Sequence, residues 1–347
     1  MTMKAIPTTV DFLATPQRGA VDPFGSVYDT NPRVIYGLIG DSNCSGFDSA
    51  TADWTAKAAD LPAGAATTFP VSGGVWNKWT VGATADRSSA VDTGDDFRAF
   101  DLGVVDPGGG KLGTGHFAQS SGCECAFAFY ETTALRAAVN DVGLQAMYVM
   151  KYGVAGSVVH DAPANPAAGW HPSGASTGAF KIFTNYYVRP ALTRIFEDPE
   201  PTYYGGTIAF LGGTDAIDPG GVLTDAGDAE LVATNIQAVI QQYHEWLGVP
   251  RALTALVIPP RVASGGTSFT GYPNMPLVQD EIRRLAARRN AAGYRTATVD
   301  LGDCERISDY LHYSSFGQWQ AGRLISEAMG RIGRRFDLLT AVPAVFA

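Results

Sequence analysis

At 347 residues, 46% hydrophobic and 17% charged, the chain is long and apolar enough for one large ordered domain with insertions, which excludes extensive disorder. A net charge of −9 argues against a nucleic-acid partner: phosphate binding needs a basic face, and the basic run Arg283-Arg284-Leu285-Ala286-Ala287-Arg288-Arg289 reads as the solvated side of a helix. No stretch approaches the ~20 apolar residues of a membrane span, and Met1 to Ala20, interrupted by Pro7, Asp11 and Pro16, has no signal-peptide core, so a soluble protein without membrane insertion is expected.

In chain order, residues 1–30, with Pro7, Pro16 and Pro23, read as an irregular N-terminal arm that wraps the domain or contacts an assembly partner. The apolar run 33–39, bounded by Pro32 and Gly40, has the form of a buried strand. The interval 44–121 is too long for an ordinary strand-to-helix connection and reads as an insertion, with Trp54, Trp76 and Trp79 as packing anchors. Further strands are expected at Ala146 to Lys151, Thr207 to Leu211, Leu253 to Ile258 and Arg295 to Asp300. Between and after them, Glu124 to Asn140, Asp228 to Leu247, Leu277 to Ala292 and Gly317 to Arg331 repeat apolar residues at helical spacing. A second insertion, 158–176, carries His160, Trp170 and His171 among Pro and Gly, and the two insertions are read as walls of a substrate cleft. Alternating strands and helices predict an α/β fold, a doubly wound, mostly parallel five-stranded sheet. The domain is drawn at 31–335, followed by a tail at 336–347.

Two short segments far apart in the chain carry the chemistry. Gly40-Asp41-Ser42-Asn43 places a hydroxyl just past the end of the first strand, where ligands of such sheets bind. Asp309-Tyr310-Leu311-His312 spaces a carboxylate three residues from an imidazole, so that Asp309 can hold one ring nitrogen while the other faces Ser42. Cys44, Cys123, Cys125 and Cys304 show no C-x-x-C spacing and read as buried thiols, a bridge at the site rim being the alternative. His116, His160, His171, His244 and His312 form no metal-binding pattern, so neither a catalytic metal nor a cofactor is expected.

The arrangement resembles the SGNH/GDSL hydrolases, and within them the carbohydrate esterases of the sialate O-acetylesterase and acetylxylan esterase type. Gly40-Asp41-Ser42-Asn43 stands where that branch has Gly-Gln-Ser-Asn. Gly122-Cys123-Glu124-Cys125-Ala126-Phe127 fits a Gly-x-Glu-x-x-Phe element, and Lys151 to Gly156-Ser157 fits the Lys-x-x-x-x-Gly-Ser run after it. Gly212-Gly213-Thr214-Asp215-Ala216 lies where the family has Gly-Glu-Ser-Asp-Ala, and Asp309-x-x-His312-Tyr313-Ser314-Ser315-x-Gly317 matches the final block. The resemblance runs through residues 33 to 330 and implies a flavodoxin-like strand order, 2-1-3-4-5.

It further implies a serine esterase acting on acylated carbohydrate, with Ser42 as nucleophile, His312 as base and Asp309 as its orienting acid. Backbone N–H groups of Ser42 and Gly122 would hold the oxyanion, and Thr214 occupies the position where the superfamily has a third donor, Asn. For Asp41 two readings stand, a bond to the loop amides or a substrate contact, and for Glu124 a helix-start role or a site-shaping one. Asn43 is a substrate-contact candidate. Trp170 and His171 are either packed loop residues or sugar-facing ones, since an aromatic face can stack on a pyranose ring. Asp215 is expected to cap the following turn. Two other classes stand beside the esterase on sugars: a hydrolase of another ester or thioester, and a non-catalytic carbohydrate-binding or structural component, perhaps of a virion. An extracellular or particle-borne substrate is expected, and three readings of the export route stand open: a leader already removed, export by another route, or travel on a larger particle such as a virion.

Overall fold

The computed structural model describes residues 9–11, 33–46, 72–77, 122–138, 146–154, 156–160, 169–198, 200–217, 226–260, 274–307 and 311–346. After β1 (Thr9–Asp11) the chain enters β2 (Arg33–Gly40), all eight residues of which are buried. Its alternate side chains serve two cores: Val34, Tyr36 and Leu38 face one, Ile35 and Ile39 the other. That is why its sequence is a continuous apolar run and not an alternating one. A single helical turn, α1 (Ser42–Ser45), follows directly.

The chain then adds β3 (Ser72–Asn77), α2 (Glu124–Ala138) and β4 (Ala146–Gly153). Next come α3 (Ala179–Ile182), a π-helical stretch (Phe183–Val188) and α4 (Arg189–Phe196), which continue one another. They lead to β5 (Thr202–Phe210), α5 (Gly213–Ile217) and α6 (Ala226–Trp246). The last elements are β6 (Thr254–Ile258), α7 (Met275–Ala291), β7 (Thr296–Asp300), α8 (Ser315–Arg331) and β8 (Arg335–Leu338).

β2 lies between β4 and β5, parallel to both, with Gly40 opposite Gly153 on one side and Phe210 on the other. β5 continues through β6 to β7, all parallel. The five expected strands therefore stand in the order 2-1-3-4-5. Three more join them. β3, inside the first insertion, pairs in parallel with β4, and β8 pairs antiparallel with β1 and with Tyr203 and Tyr204 at the start of β5. Along its outer edge β5 thus meets β8 with its first half and β6 with its second.

Residues set apart as a tail on sequence are docked. Arg335–Leu338 is a sheet strand, and Phe346 packs on Phe180 and Trp246 while its N–H donates to Asn185 Oδ1 at 2.9 Å. The arm is described at β1 alone, and Trp54 and Trp79 lie outside the described residues.

Helices α2 and α8 cover the face of Val34 and Leu38, where Phe127, Trp319 and Ile325 fill the core. The π-containing segment, α6 and α7 cover the other face, through Phe183, Val239 and Ile282. Among the described residues no helix is long and apolar enough to cross a membrane.

Candidate active site

The site forms where β2 stops. Gly40 lies so close to β5 that a Cβ on it would fall 2.2 Å from the Phe210 carbonyl oxygen, so only glycine lets the two strand ends meet here. Asp41 leaves the sheet in an extended conformation and its carboxylate Oδ1 accepts the Asn43 N–H at 2.9 Å, capping α1. Ser42 is the first residue of that turn and half-buried.

His312 reaches Ser42 from the far end of the chain. Ile307 N–H donates to the His312 carbonyl at 3.0 Å, Ser314 N–H donates to the Glu305 carbonyl at 3.1 Å, and Arg306 bridges Tyr313, so His312 is held beside the Glu305–Ile307 segment. Ser314 caps α8 through the Gly317 N–H and also donates to Glu305 Oε1 at 2.8 Å. A Cβ on Gly317 would lie 1.9 Å from the Glu305 carbonyl oxygen, so α8 is seated directly on this segment.

The result is His312 Nε2 at 2.8 Å from Ser42 Oγ, across 270 residues of sequence. This is hydrogen-bond distance, and a neutral imidazole so placed can take the serine proton. Asn43 ties the two segments together, its Nδ2 donating to the Leu311 carbonyl at 3.3 Å and its own carbonyl accepting from Gln318 Nε2 at 3.1 Å. Asp309 falls in 308–310, outside the described residues.

Other expected site residues divide. Gly122 N–H donates to Glu124 Oε1 at 3.1 Å, so the backbone donor expected to face an oxyanion is engaged by a carboxylate two residues on. Glu124 is itself buried and paired with Lys151 Nζ at 2.8 Å, a structural anchor at the start of α2 and not a group presented to a ligand. Burial opposes the charge on Lys151, but the Glu124 carboxylate outweighs it and the amine's pKa stands above its ordinary value. The pair joins two of the sequence blocks behind the nucleophile loop.

Thr214 is half-buried in α5, whose first residue, Gly213, abuts the Asp41 carboxylate: a Cβ there would come 2.8 Å from Oδ2. Asp215 holds a loop of the second insertion, both carboxylate oxygens accepting Val159 N–H at 3.1 Å.

Trp170 does not face a ligand. It is wholly buried against Tyr152 and Phe183, its indole N–H donating to Ser157 Oγ at 3.0 Å, because the second insertion folds back into the core at the Val158–Gly169 bridge. His171 has its Nδ1 2.6 Å from Ser173 Oγ and lines a groove of about 600 Å³ with Lys181, Gln241 and Phe346, which shares no residue with the cavity beside Asp41.

That cavity, of about 10 Å³, is bounded by Asp41, Asn43, Gly213, Val257, Pro259 and Tyr313 among others. It was not legible in the sequence, since its walls come from four separate segments. Burial pushes the Asp41 carboxyl from the usual 3.8 up to about 6, against the opposing pull of the Asn43 N–H and of His312. Cys44, Cys123 and Cys304 are free and buried, and burial raises each thiol, Cys304 to about 12, so they stay protonated and do not compete as nucleophiles. Among the described residues no cluster of three or more His, Cys, Asp or Glu could hold a metal ion.

Ser42 and His312 thus meet at the carboxyl ends of the strands of a doubly wound α/β sheet of order 2-1-3-4-5. That order is the one implied by the resemblance to the SGNH/GDSL hydrolases. No family model matches the chain, and no curated protein does. Solved structures do match. A protein of Arabidopsis thaliana is 16% identical, with 85% of this chain and 97% of that chain covered and a TM-score of 0.50. Est24, a carbohydrate acetylesterase from Sinorhizobium meliloti, is 13% identical over 85% of this chain and 97% of that one, with a TM-score of 0.41. A GDSL-like lipase from Parabacteroides merdae is 12% identical over 87% and 96%, with a TM-score of 0.41. At such identities the likeness is one of fold.

Proposed function

We propose that the protein is a serine esterase that removes short acyl groups, acetyl foremost, from carbohydrate. The observation that carries this reading is the 2.8 Å contact of Ser42 Oγ with His312 Nε2 at the carboxyl end of the central strand. Ser42 Oγ attacks the ester carbonyl carbon while His312 Nε2 takes its proton. The tetrahedral adduct expels the sugar alkoxide, which receives that proton, and a water activated by His312 then cleaves the acyl-serine. Asp309 completes the triad by the family pattern. With Gly122 engaged by Glu124, the Ser42 N–H and the Thr214 hydroxyl are the oxyanion donors in this reading. The small cavity beside Asp41 has room for about one methyl or water, which supports a short acyl group. Carbohydrate as the substrate rests on the motif resemblance.

The engaged Gly122 N–H also favours a second reading, a carbohydrate-binding component that keeps the fold without turnover. One experiment separates the two. Parent and Ser42→Ala proteins are incubated with a panel of acetylated polysaccharides, and released acetate and retained binding are scored together. The esterase releases acetate only with Ser42 present, and the alanine variant still binds. Equal binding with no release from either protein would establish the binding component instead.

A further inference from the structure

Asp41 departs from the glutamine of the branch that this chain resembles, and its surroundings give that departure a consequence. The carboxylate is buried, 8% exposed, at the wall of the small cavity. The residues around it there are Phe210, Leu211, Gly213, Val257, Ile258 and Pro259, none of them charged. The titratable groups that face it are Cys44 on its own turn and His312 and Tyr313 on the base-bearing segment. Burial holds both the thiol and the phenol protonated far above neutral pH, so among the described residues His312 is the one facing group that can be cationic. The bond from Asn43 N–H to Asp41 Oδ1, with further backbone amides of the same turn, closes the four-residue turn that carries Ser42.

We infer that Asp41 is a positioning residue for the reaction: its carboxylate, as the cap of the four-residue turn, holds Ser42 in the attacking position, and holds it best when ionised. A carboxylate accepts the Asn43 N–H more strongly than a carboxylic acid does, and its charge stabilises the imidazolium that forms as Ser42 attacks. With no cation bonded to it among the described residues, burial raises its ionisation to near pH 6.

This inference rests on Ser42 being the nucleophile, and its test reports on that as well. The rate of covalent labelling of the protein by a fluorophosphonate is followed from pH 4.5 to 8 for the parent, Asp41→Asn, Asp41→Ala and Ser42→Ala, with circular dichroism to confirm folding at each pH. Below about pH 6 the parent's log rate should fall towards acid pH more steeply than that of Asp41→Asn, because the parent also needs Asp41 ionised. Asp41→Asn keeps a capping oxygen and loses this titration, with a rate at pH 8 reduced severalfold. Asp41→Ala, lacking the cap, should be slowed more, at least tenfold, at every pH. Equal slopes in the parent and Asp41→Asn overturn the role of Asp41 while leaving Ser42 as nucleophile. Labelling that persists in Ser42→Ala, or none in the parent, overturns both.

Discussion

Two buried carboxylates, Glu131 on α2 and Asp41 at the nucleophile turn, are treated differently by the same fold. Glu131 accepts four hydrogen bonds, from Tyr36 OH, Ser326 Oγ, Arg334 Nε and Arg334 Nη2, at 2.7 to 3.0 Å. Burial opposes the charge of Arg334, yet Glu131 holds its pKa above the ordinary value, and Tyr36, buried beside the same carboxylate, is also pushed well up. Asp41 has backbone amides and no cation bonded to it among the described residues, and its pKa rises to about 6. The carboxylate that joins the sheet to α2 and α8 is saturated. The one beside the nucleophile is left poised to titrate.

The largest effect should separate chemistry from architecture. Ser42→Ala should lower ester hydrolysis at least about 10⁴-fold while the melting temperature barely moves, read by acetate release and calorimetry. If the variant hydrolyses as fast as the parent, another residue is the nucleophile. Next, Glu131→Ala should destabilise the fold by about 3–5 kcal/mol in urea titrations, because it strands Arg334 as an uncompensated buried charge. A loss below 1 kcal/mol would mean that the network is dispensable.

Asp41→Asn should act in the opposite direction. The folded-state pKa of Asp41 lies above its usual 3.8, so the folded protein binds the proton more tightly than the unfolded chain. Its stabilising contribution is present below pH 4 and is lost as pH rises through about 6. Removing the titration should therefore stabilise the protein on the order of 2 kcal/mol at pH 8 and leave it unchanged at pH 4, at the expense of activity. Equal stability changes at both pH values would remove the contrast with Glu131. The smallest effect concerns Trp170. Trp170→Phe deletes the N–H bond to Ser157 and should cost about 1 kcal/mol in urea titrations, with ester hydrolysis unchanged; hydrolysis lost without loss of stability would give this residue a part in the site.

What was legible follows from where each signal is local. β2, β5 and β6 are buried along their whole length and β4 at all but Tyr148, which is why they read as apolar runs, whereas β7 is half-buried at Thr298 and exposed at Asp300; α2, α6, α7 and α8 show their stripes over four turns or more. β3 contains Gly73-Gly74, β1 and β8 are only three and four residues long, and none of them carries a periodic signal. The segment from Ala179 to Phe196 has Thr184, Asn185 and Pro190 within it and a π-helical stretch that breaks the helical period. At the site, Ser42 and His312 were legible because their motifs sit at element ends. The engagement of Gly122 was readable in principle, since a carboxylate two residues ahead of an N–H can bond it locally. The direction of Trp170 was not: a tryptophan among Pro and Gly suits a rim as well as a core, and only the fold-back at Val158 and Gly169 decides.

The strand order also has a cost during synthesis. β2 is the central strand, yet both of its neighbours, β4 at Ala146–Gly153 and β5 at Thr202–Phe210, lie far downstream. At roughly 5–20 residues per second, a nascent chain leaves β2 without its second neighbour for on the order of 10 s. For that interval an eight-residue strand with at least one unsatisfied edge, and both until β4 is made, is exposed, the form of segment most prone to intermolecular pairing. The arrangement that sets Ser42 at the middle of the sheet thus makes the newborn protein a client for chaperones that shield hydrophobic strands, and slower translation through residues 41 to 145 should raise its aggregation.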